Sequence, residues 1–374
     1  MIKVLTISGT RPEAIKIAPV IRELKQHSDM IQTVNCSTGQ HKELLKGIFD
    51  LFDVNVDYEL NVMVANQTLP LLTSKLFNNL ANIFEKVKPD WVLAQGDTTT
   101  VMVASVLAYY NKIKFGHIEA GLRTGNLYAP FPEEGNRLIS DAVAHKLWAP
   151  TQKSADNLLL CGFAQSKISV TGNTVIDALR IVSEISHTKP GPILSRYTGK
   201  KIVLVTAHRR ESFGKELEDI FNAIKDLALI YQTLTFVFPV HFNPNVRNMA
   251  KKILGGVENI DLIEPLDYLS FINLIRTSFL ILTDSGGIQE EAPYFNVPVL
   301  VLRNLTERPE GIEAGTSLLI GTERNNIVKR CSEVIENKNG LYSNMVEAKN
   351  PYGDGFAADR IVRSIIQDEG NINE

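Results

Sequence analysis

Residues 4–16 read VLTISGTRPEAIK, and this stretch holds a strand, a tight turn and the start of a helix. The apolar residues before the glycine predict a buried strand. Thr10 can cap a helix because Glu13 follows three residues later, and Pro12 suits the first helical turn. A strand that runs through a turn into a capped helix is typical of parallel sheets, so we predict an α/β fold. Arg11 then either binds an anion at the helix start or is a solvated base beside a capping box.

The same alternation of β-branched runs and helix-length amphipathic stretches continues along the chain. It predicts two doubly wound parallel sheets with helices on both faces, one in each half. The predicted strands are 4–7, 33–37, 91–94, 115–118, 147–149 and 168–170, then 202–206, 235–240, 260–263, 280–283, 299–302 and 317–320. Pro and Gly cluster at 189–192, which indicates a hinge between about 170 and 200. We expect two such domains to face each other across a ligand-binding cleft at the carboxyl ends of their strands.

Composition excludes several classes of protein. The chain has 374 residues, enough for about two domains, with 39 Lys and Arg against 42 Asp and Glu. The resulting net charge of −3 indicates neither a nucleic-acid partner nor an anionic membrane surface. The N-terminus does not look like a signal peptide, and no apolar run approaches the length of a membrane span. We therefore expect a cytoplasmic protein.

Cofactor and metal motifs are missing from the sequence. There is no Walker A loop, no G-x-G-x-x-G and no H-E-x-x-H, so we expect neither a cofactor nor a metal. Three cysteines, Cys36, Cys161 and Cys331, lie far apart and are interpreted as buried thiols.

Three acidic residues follow glycine or proline breaks in the first half, at predicted strand ends or helix starts. Asp97 stands where a helix cap would, Glu119 lies between two glycines at a strand end, and Glu133 begins a helix. Each has an ordinary structural explanation as a cap, a helix-dipole partner or one half of an ion pair, for Glu119 with Arg123 or another base. Together in one cleft they would permit general acid and base catalysis.

The second half places different chemistry at its strand ends. His208 and His241 follow successive strands, and each is either a structural histidine or a ligand-facing one. Residues 284–287 read DSGG between a strand and a helix, which indicates a phosphate-binding turn or a turn that needs glycine backbone angles. Arg303 and Arg308 follow the next strand. Taken together, bases and backbone N–H groups opposite several acids favour a diphosphate ligand.

Several motifs together resemble the bacterial non-hydrolysing UDP-N-acetylglucosamine 2-epimerases. They are GTRPEAIK at 9–16, GDTTT at 96–100, HIEAGLRT at 117–124, PEE at 132–134, GNT at 172–174, HRRE at 208–211, DSGGIQEEAP at 284–293 and NPYGDG at 350–355. Their order and spacing fit nearly the whole chain. The resemblance implies a GT-B-type fold with an N-terminal domain of residues 1–171 and a C-terminal domain of 172–354. A last helix at about 355–370 would cross back onto the first domain.

The resemblance also implies an activity and the residues that perform it. Such enzymes interconvert UDP-N-acetylglucosamine and UDP-N-acetylmannosamine through a 2-acetamidoglucal intermediate, usually as homodimers and without a cofactor. The product would supply ManNAc units for surface polysaccharide. The implied acid/base residues are Asp97, Glu119 and Glu133, with no assignment to a face of C2, and His208 supports the departing diphosphate. The implied substrate and UDP contacts are Arg11, Lys16, Arg137, His241, Ser285, Gly286, Glu291 and Arg308.

In family members that bind their substrate as an activator beside the catalytic site, the resemblance implies a regulatory pocket that Gln40, His41, Arg209 and His241 would match. Glu43 and Asn66 replace a Gln and an Arg that are common in members activated by their own substrate. Because an acid would repel an anionic effector, we expect weak or absent activation. Gln95 also replaces a frequent His, and residues 304–305 replace a frequent Asp-Thr.

The same residues also fit other functions. The chain could be a hydrolysing relative that releases ManNAc and UDP, or an epimerase of a modified UDP-sugar. A glycosyltransferase on the same fold lacks support, because nothing looks like an acceptor groove. A non-catalytic nucleotide-sugar sensor would be expected to have lost the three acids.

Overall fold

The structure is a computed structural model that describes residues 1–39, 42–64, 67–188, 193–209 and 212–370. The chain divides into two compact units, Met1–Ile181 with Tyr352–Glu374, and Val182–Pro351. We call them unit 1 and unit 2. The division falls later in the chain than the predicted boundary at 171/172.

Unit 1 is built on a parallel sheet of seven strands in the order β3-β2-β1-β4-β5-β6-β7. The strands are β1 (Ile2–Ser8), β2 (Ile31–Ser37), β3 (Tyr58–Glu59), β4 (Trp91–Gln95), β5 (Lys114–Ile118), β6 (Lys146–Ala149) and β7 (Ile168–Val170). The predicted strands of this half are confirmed to within a few residues. The two-residue strand β3 is missing from the prediction, because it is too short to show periodicity.

Among the described residues, eight α-helices include residues of unit 1. They are α1 (Arg11–Gln26), α2 (Lys42–Leu51), α3 (Leu69–Val87), α4 (Thr99–Tyr110), α5 (Glu133–Val143), α6 (Gln152–Leu160), α7 (Thr174–Thr188), which contains the division between the units, and α16 (Ala357–Gly370). Helix α16 packs on α1. Its residue Glu369 accepts hydrogen bonds from the buried Trp91 at 2.8 Å and from Lys114 at 2.5 Å. These contacts attach the C-terminal helix to the centre of the first sheet.

Unit 2 contains a parallel sheet of six strands in the order β10-β9-β8-β11-β12-β13. The strands are β8 (Lys201–Thr206), β9 (Leu234–Pro239), β10 (Ile260–Ile263), β11 (Ser278–Thr283), β12 (Val299–Val301) and β13 (Ser317–Leu319). The helices are α8 (Ile193–Arg196), α9 (Lys215–Ile230), α10 (Pro244–Leu254), α11 (Tyr268–Thr277), α12 (Gly286–Glu291), α13 (Pro309–Glu313), α14 (Arg324–Ile335) and α15 (Leu341–Glu347). Two parallel sheets with flanking helices confirm the predicted α/β class.

Each sheet reverses its strand order once, and this is where open α/β sheets bind ligands. The reversal lies between β1 and β4 in unit 1 and between β8 and β11 in unit 2. All residues of β1 from Val4 to Ile7 pair with β4, and Gln95 of β4 pairs with Ile118 of β5. The polar residues that follow β1, β4 and β5 therefore emerge side by side.

The thiols do not all match the prediction. Cys36 and Cys331 are buried, and burial raises the pKa of Cys36 to about 12. Cys161 is exposed, so its interpretation as a buried thiol is wrong. It caps the C-terminus of α6, where the chain turns at the surface. Among the described residues, no helix is both long and apolar enough to cross a membrane.

Candidate functional site

The turn after β1 is organised around the buried carboxylate of Glu13. Its Oε2 accepts the N–H groups of Gly9 at 2.8 Å and Thr10 at 2.6 Å, and its Oε1 accepts the Thr98 hydroxyl at 2.5 Å. Burial raises the pKa of Glu13, and these hydrogen bonds oppose that only in part. A side chain at Gly9 would collide with two threonine hydroxyls, of Thr38 at 2.5 Å and Thr100 at 2.7 Å. The predicted capping box is thus confirmed, and it ties β1 to the start of α4.

Glu119 forms a buried ion pair with Lys16. Lys16 Nζ lies 2.5 Å from Glu119 Oε2, and their side chains are 10% and 7% exposed. Glu119 also has a left-handed backbone with φ of 68°, which a non-glycine residue adopts only where its surroundings enforce it. The base that neutralises Glu119 is therefore Lys16, whereas Arg123 donates to Asp141 at 2.5 Å.

Asp97 is held by residues of α5. Arg137 donates to Asp97 Oδ2 from Nε at 3.0 Å and from Nη2 at 2.7 Å, and the Asn136 amide donates to the Asp97 carbonyl at 2.9 Å. Arg137 also donates from Nη1 to Glu134 at 2.7 Å. Arg137, predicted to contact substrate, is in this structure the counter-charge of a candidate catalytic acid.

Glu133 differs from the other two acids. It begins α5, is half-buried, and its Oε2 is a buried atom without a hydrogen-bond partner among the described residues. A buried carboxylate oxygen without a donor is costly, so such a group is a candidate for contact with a ligand.

The sequence did not predict a buried triad in unit 1, formed by His117, Asp141 and Arg123. His117 lies in β5 with no exposure and contacts Asp141 Oδ1 through Nδ1 at 2.5 Å and the Gly96 carbonyl through Nε2 at 2.7 Å. Both partners only accept, so both ring nitrogens must donate. Burial lowers the pKa of His117, but Asp141 and the Gly96 carbonyl raise it above the ordinary value. A polar residue inside the buried strand β5 was the available signal. The triad, completed by Arg123, fixes the backbone just before Asp97.

In unit 2, two histidines stack beside a buried acid. The rings of His208 and His241 lie 5.2 Å apart and 11° from parallel. Asp284 has no exposure, and its Oδ2 accepts the N–H groups of His208 at 2.6 Å and Arg209 at 2.8 Å. Burial lowers the pKa of His241, and the nearby His208 lowers it further.

The turn before α12 offers fewer free N–H groups than predicted. The Ser285 N–H donates to the Thr283 hydroxyl at 2.9 Å, whereas Gly286 is the first helical residue and has no N–H partner within the helix. Arg209 reaches this turn, since its Nη2 is 3.8 Å from where a Gly286 side chain would begin. The same Arg209 contacts Glu307 at 3.5 Å. The Arg209 guanidinium and the N–H group of Gly286 therefore both lie at the start of α12.

The remaining predicted residues of unit 2 have partners within the chain. Arg308 donates from Nε to the buried Glu290, and Tyr268 donates to Glu291 at 3.2 Å. Arg303 holds Glu307 with two hydrogen bonds, at 2.6 and 3.1 Å, and although burial raises the pKa of Glu307, its arginine neighbours lower it to about 2.

The predicted residues are therefore divided between the two units. Arg11, Lys16, Asp97, Glu119, Glu133 and Arg137 belong to unit 1, and His208, Arg209, His241, Ser285, Gly286, Glu291 and Arg308 belong to unit 2. Gln40 and His41 of the possible regulatory pocket lie outside the described residues. Within the described ranges, no group of three or more His, Cys, Asp or Glu is arranged to hold a metal ion.

Comparison with known proteins identifies relatives along the whole chain. A profile of the UDP-N-acetylglucosamine 2-epimerase family matches residues 22–366. The UDP-N-acetylglucosamine 2-epimerase of Neisseria meningitidis is 46% identical over 371 residues, which is 98% of this chain and 99% of that protein.

Solved structures agree with this result. The Neisseria meningitidis UDP-GlcNAc 2-epimerase, crystallised with UDP-GlcNAc, has a TM-score of 0.93 at 46% identity, covering 98% of this chain and 100% of that one. MnaA of S. aureus, solved with UDP, has a TM-score of 0.92 at 47% identity, covering 100% of this chain and 98% of that one. The family predicted from the motifs is confirmed, and this chain belongs to the UDP-N-acetylglucosamine 2-epimerases.

Proposed function

We propose that this protein interconverts UDP-N-acetylglucosamine and UDP-N-acetylmannosamine and that UDP stays attached in both products. Membership of the family supports the reaction. Relatives solved with UDP-GlcNAc and with UDP support the ligand class. We further propose that the enzyme is a homodimer and that its product supplies ManNAc units for surface polysaccharide.

The proposed reaction is an elimination followed by re-addition, because the hydrogen on C2 is not acidic. A base removes the C2 proton, the electrons of that C–H bond form a C1=C2 double bond, and the C1–O bond breaks with its electrons leaving on UDP. The intermediate is 2-acetamidoglucal. A UDP oxygen then re-forms the bond to C1 while an acid returns a proton to the opposite face of C2. The cycle needs a base and an acid, and no external electrons.

The observation that carries the proposal is that three carboxylates of unit 1 have unequal surroundings. Asp97 is paired with Arg137, and Glu119 is paired with Lys16. Glu133 keeps a buried oxygen without a hydrogen-bond partner in the described part of the chain. Carboxyl groups with such different surroundings can divide acid and base roles between them.

Unit 2 has the chemistry to bind the leaving group. His208, Arg209 and the start of α12 provide positive charge and N–H donors that suit a diphosphate. Stabilising the charge that develops on UDP as the C1–O bond breaks lowers the barrier to elimination. We propose that Arg11 also binds the diphosphate and that Glu291 holds the ribose hydroxyls.

Proton NMR of the purified full-length protein with UDP-N-acetylglucosamine in D₂O tests this function. We expect deuterium at C2 of both epimers, with UDP retained at equilibrium. One-way accumulation of free ManNAc and UDP would instead show a hydrolysing enzyme. Absence of exchange while UDP still binds would indicate a sensor or a different UDP-sugar substrate.

Three variants test the assignment of the carboxylates. Asp97→Asn, Glu119→Gln and Glu133→Gln should each lower turnover by about 10²-fold or more while UDP binding survives. Asp50→Asn is the matched control, because Asp50 is an exposed acid of the same unit, 61% exposed in its side chain. Near-normal epimerisation by all three variants would refute the assignment.

A further inference from the structure

Asp284 is a fully buried carboxylate to which the proposed reaction gives no role. It follows β11, and its Oδ2 accepts two backbone N–H groups from the turn after the neighbouring strand β8. Its Oδ1 is also buried and has no well-oriented hydrogen bond among the described residues. That oxygen lies 3.3 Å from His208 Nδ1. Because a buried carboxylate oxygen is costly without a donor, the position of Oδ1 indicates a proton on His208 Nδ1.

This contact decides which nitrogen of His208 is available for a ligand. A carboxylate can only accept, so a hydrogen bond across this 3.3 Å contact requires the proton on Nδ1. The ring then carries Nε2 on the side away from Asp284, and 39% of the His208 side chain is exposed. A second proton, on Nε2, would turn His208 into an imidazolium with its outward N–H free to donate to an anion.

The neighbouring residues favour the second proton on the His208 ring over one on the His241 ring. His241 stacks on His208, but its Nδ1 accepts the Asn243 N–H at 3.0 Å, so its own proton lies on Nε2. Burial and the proximity of His208 lower the pKa of His241 more than Asp284 raises it, so His241 binds a second proton less readily than an ordinary histidine. The third charged neighbour, Arg209, is engaged with Glu307. Among the described residues, Asp284 is thus the acid in direct contact with the His208 ring.

We propose that Asp284 is a positioning residue that holds His208 with Nδ1 protonated and thereby couples UDP binding to the uptake of a proton on Nε2. This inference rests on the proposed function for the identity of the ligand. Its physical basis is that an imidazolium backed by a carboxylate makes a charge-assisted hydrogen bond to a phosphate oxygen, which a neutral ring cannot match.

Nitrogen-15 NMR of the histidine rings tests the tautomer in the full-length, ligand-free protein. At alkaline pH, the neutral ring should carry its proton on Nδ1 in His208 and on Nε2 in His241. In Asp284→Asn the new amide oxygen can accept both backbone N–H groups while its NH₂ donates to His208 Nδ1, so the His208 proton should move to Nε2. His208→Gln assigns the resonance. A His208 proton on Nε2 in the wild-type protein would overturn the proposal.

Calorimetry with UDP tests the coupling. In two buffers of different ionisation enthalpy at about pH 8, wild-type binding should take up close to one proton. Asp284→Asn should take up none and bind UDP about tenfold more weakly. In a His208→Gln background, Asp284→Asn should change UDP affinity by less than about twofold, because its effect passes through the ring. Independent losses in the double variant would contradict the proposal and assign Asp284 a purely structural role.

The proposed function and the role of Asp284 are refuted by different results. A wild-type protein that binds no UDP would refute the proposed function, whereas the NMR tautomer would still decide the role of Asp284. If Asp284→Asn does not fold, the wild-type tautomer and the proton uptake of wild type compared with His208→Gln remain decisive. Equal proton uptake by those two proteins would overturn the inference.

Discussion

The buried ion pair of Lys16 and Glu119 permits a sharp test because the same unit contains an exposed pair of nearly equal length. Lys16 Nζ is 2.5 Å from Glu119, with side chains 10% and 7% exposed. Lys46 Nζ is 2.6 Å from Asp50, with side chains 72% and 61% exposed. The two ion pairs therefore have nearly the same length and differ in their burial.

Breaking the buried pair should cost far more than breaking the exposed one. Lys16→Met removes the buried ammonium that pairs with the Glu119 carboxylate, and this should lower the free energy of unfolding by about 3–5 kcal/mol. Lys46→Met should lower it by only about 0.3–0.5 kcal/mol, because water solvates the remaining charge. Glu119 has a left-handed φ of 68°, and Gln has the same length and branching as Glu, so we expect Glu119→Gln to test the loss of the carboxylate charge rather than a change of backbone strain.

Urea unfolding of the four single variants, Lys16→Met, Glu119→Gln, Lys46→Met and Asp50→Asn, measures these differences. The double variant Lys16→Met with Glu119→Gln should recover much of the loss, because it leaves no buried charge behind. The interpretation would be refuted if the buried and exposed single variants lost the same stability, or if the double variant lost the sum of its singles.

Three further outcomes are expected. Arg137→Lys should lower kcat/KM about tenfold and leave UDP binding intact, because one ammonium cannot replace the two hydrogen bonds that Arg137 donates to Asp97. Unchanged kinetics would contradict a role for these hydrogen bonds. Burial raises the pKa of Asp177 to about 6, although hydrogen bonds from the start of α16 lower it in part. Because the folded protein then binds a proton at Asp177 more tightly than the unfolded chain does, the stability of the wild type relative to Asp177→Asn should fall as pH rises from about 4 to about 6. Urea unfolding across that range checks this, and parallel curves would contradict it. Initial rates against UDP-N-acetylglucosamine should be hyperbolic, given Glu43 and Asn66 in the sequence; a sigmoidal curve, with UDP-N-acetylglucosamine activating the reverse reaction, would show that the activator still binds.

Local sequence was sufficient for the elements of this fold. Each strand and helix start depends on neighbours a few residues apart, as in the capping box of Thr10 and Glu13. The predicted strands and the family follow from such local signals, and the structure and the comparisons confirm them. The short strand β3 and the exposure of Cys161 did not follow, because each depends on what packs against it.

The pairing of charges was decided only by the tertiary structure. The sequence proposed Lys16 and Arg137 as ligand contacts, whereas the fold places each against an acid, one 103 residues away and one 40 residues away. Asp284 and His208 meet across 76 residues because β8 and β11 are neighbours in the sheet. A charge can be buried only where an opposite charge or a hydrogen-bond donor reaches it. The order of the strands determines which residue provides that partner, and no local sequence pattern encodes the order of the strands.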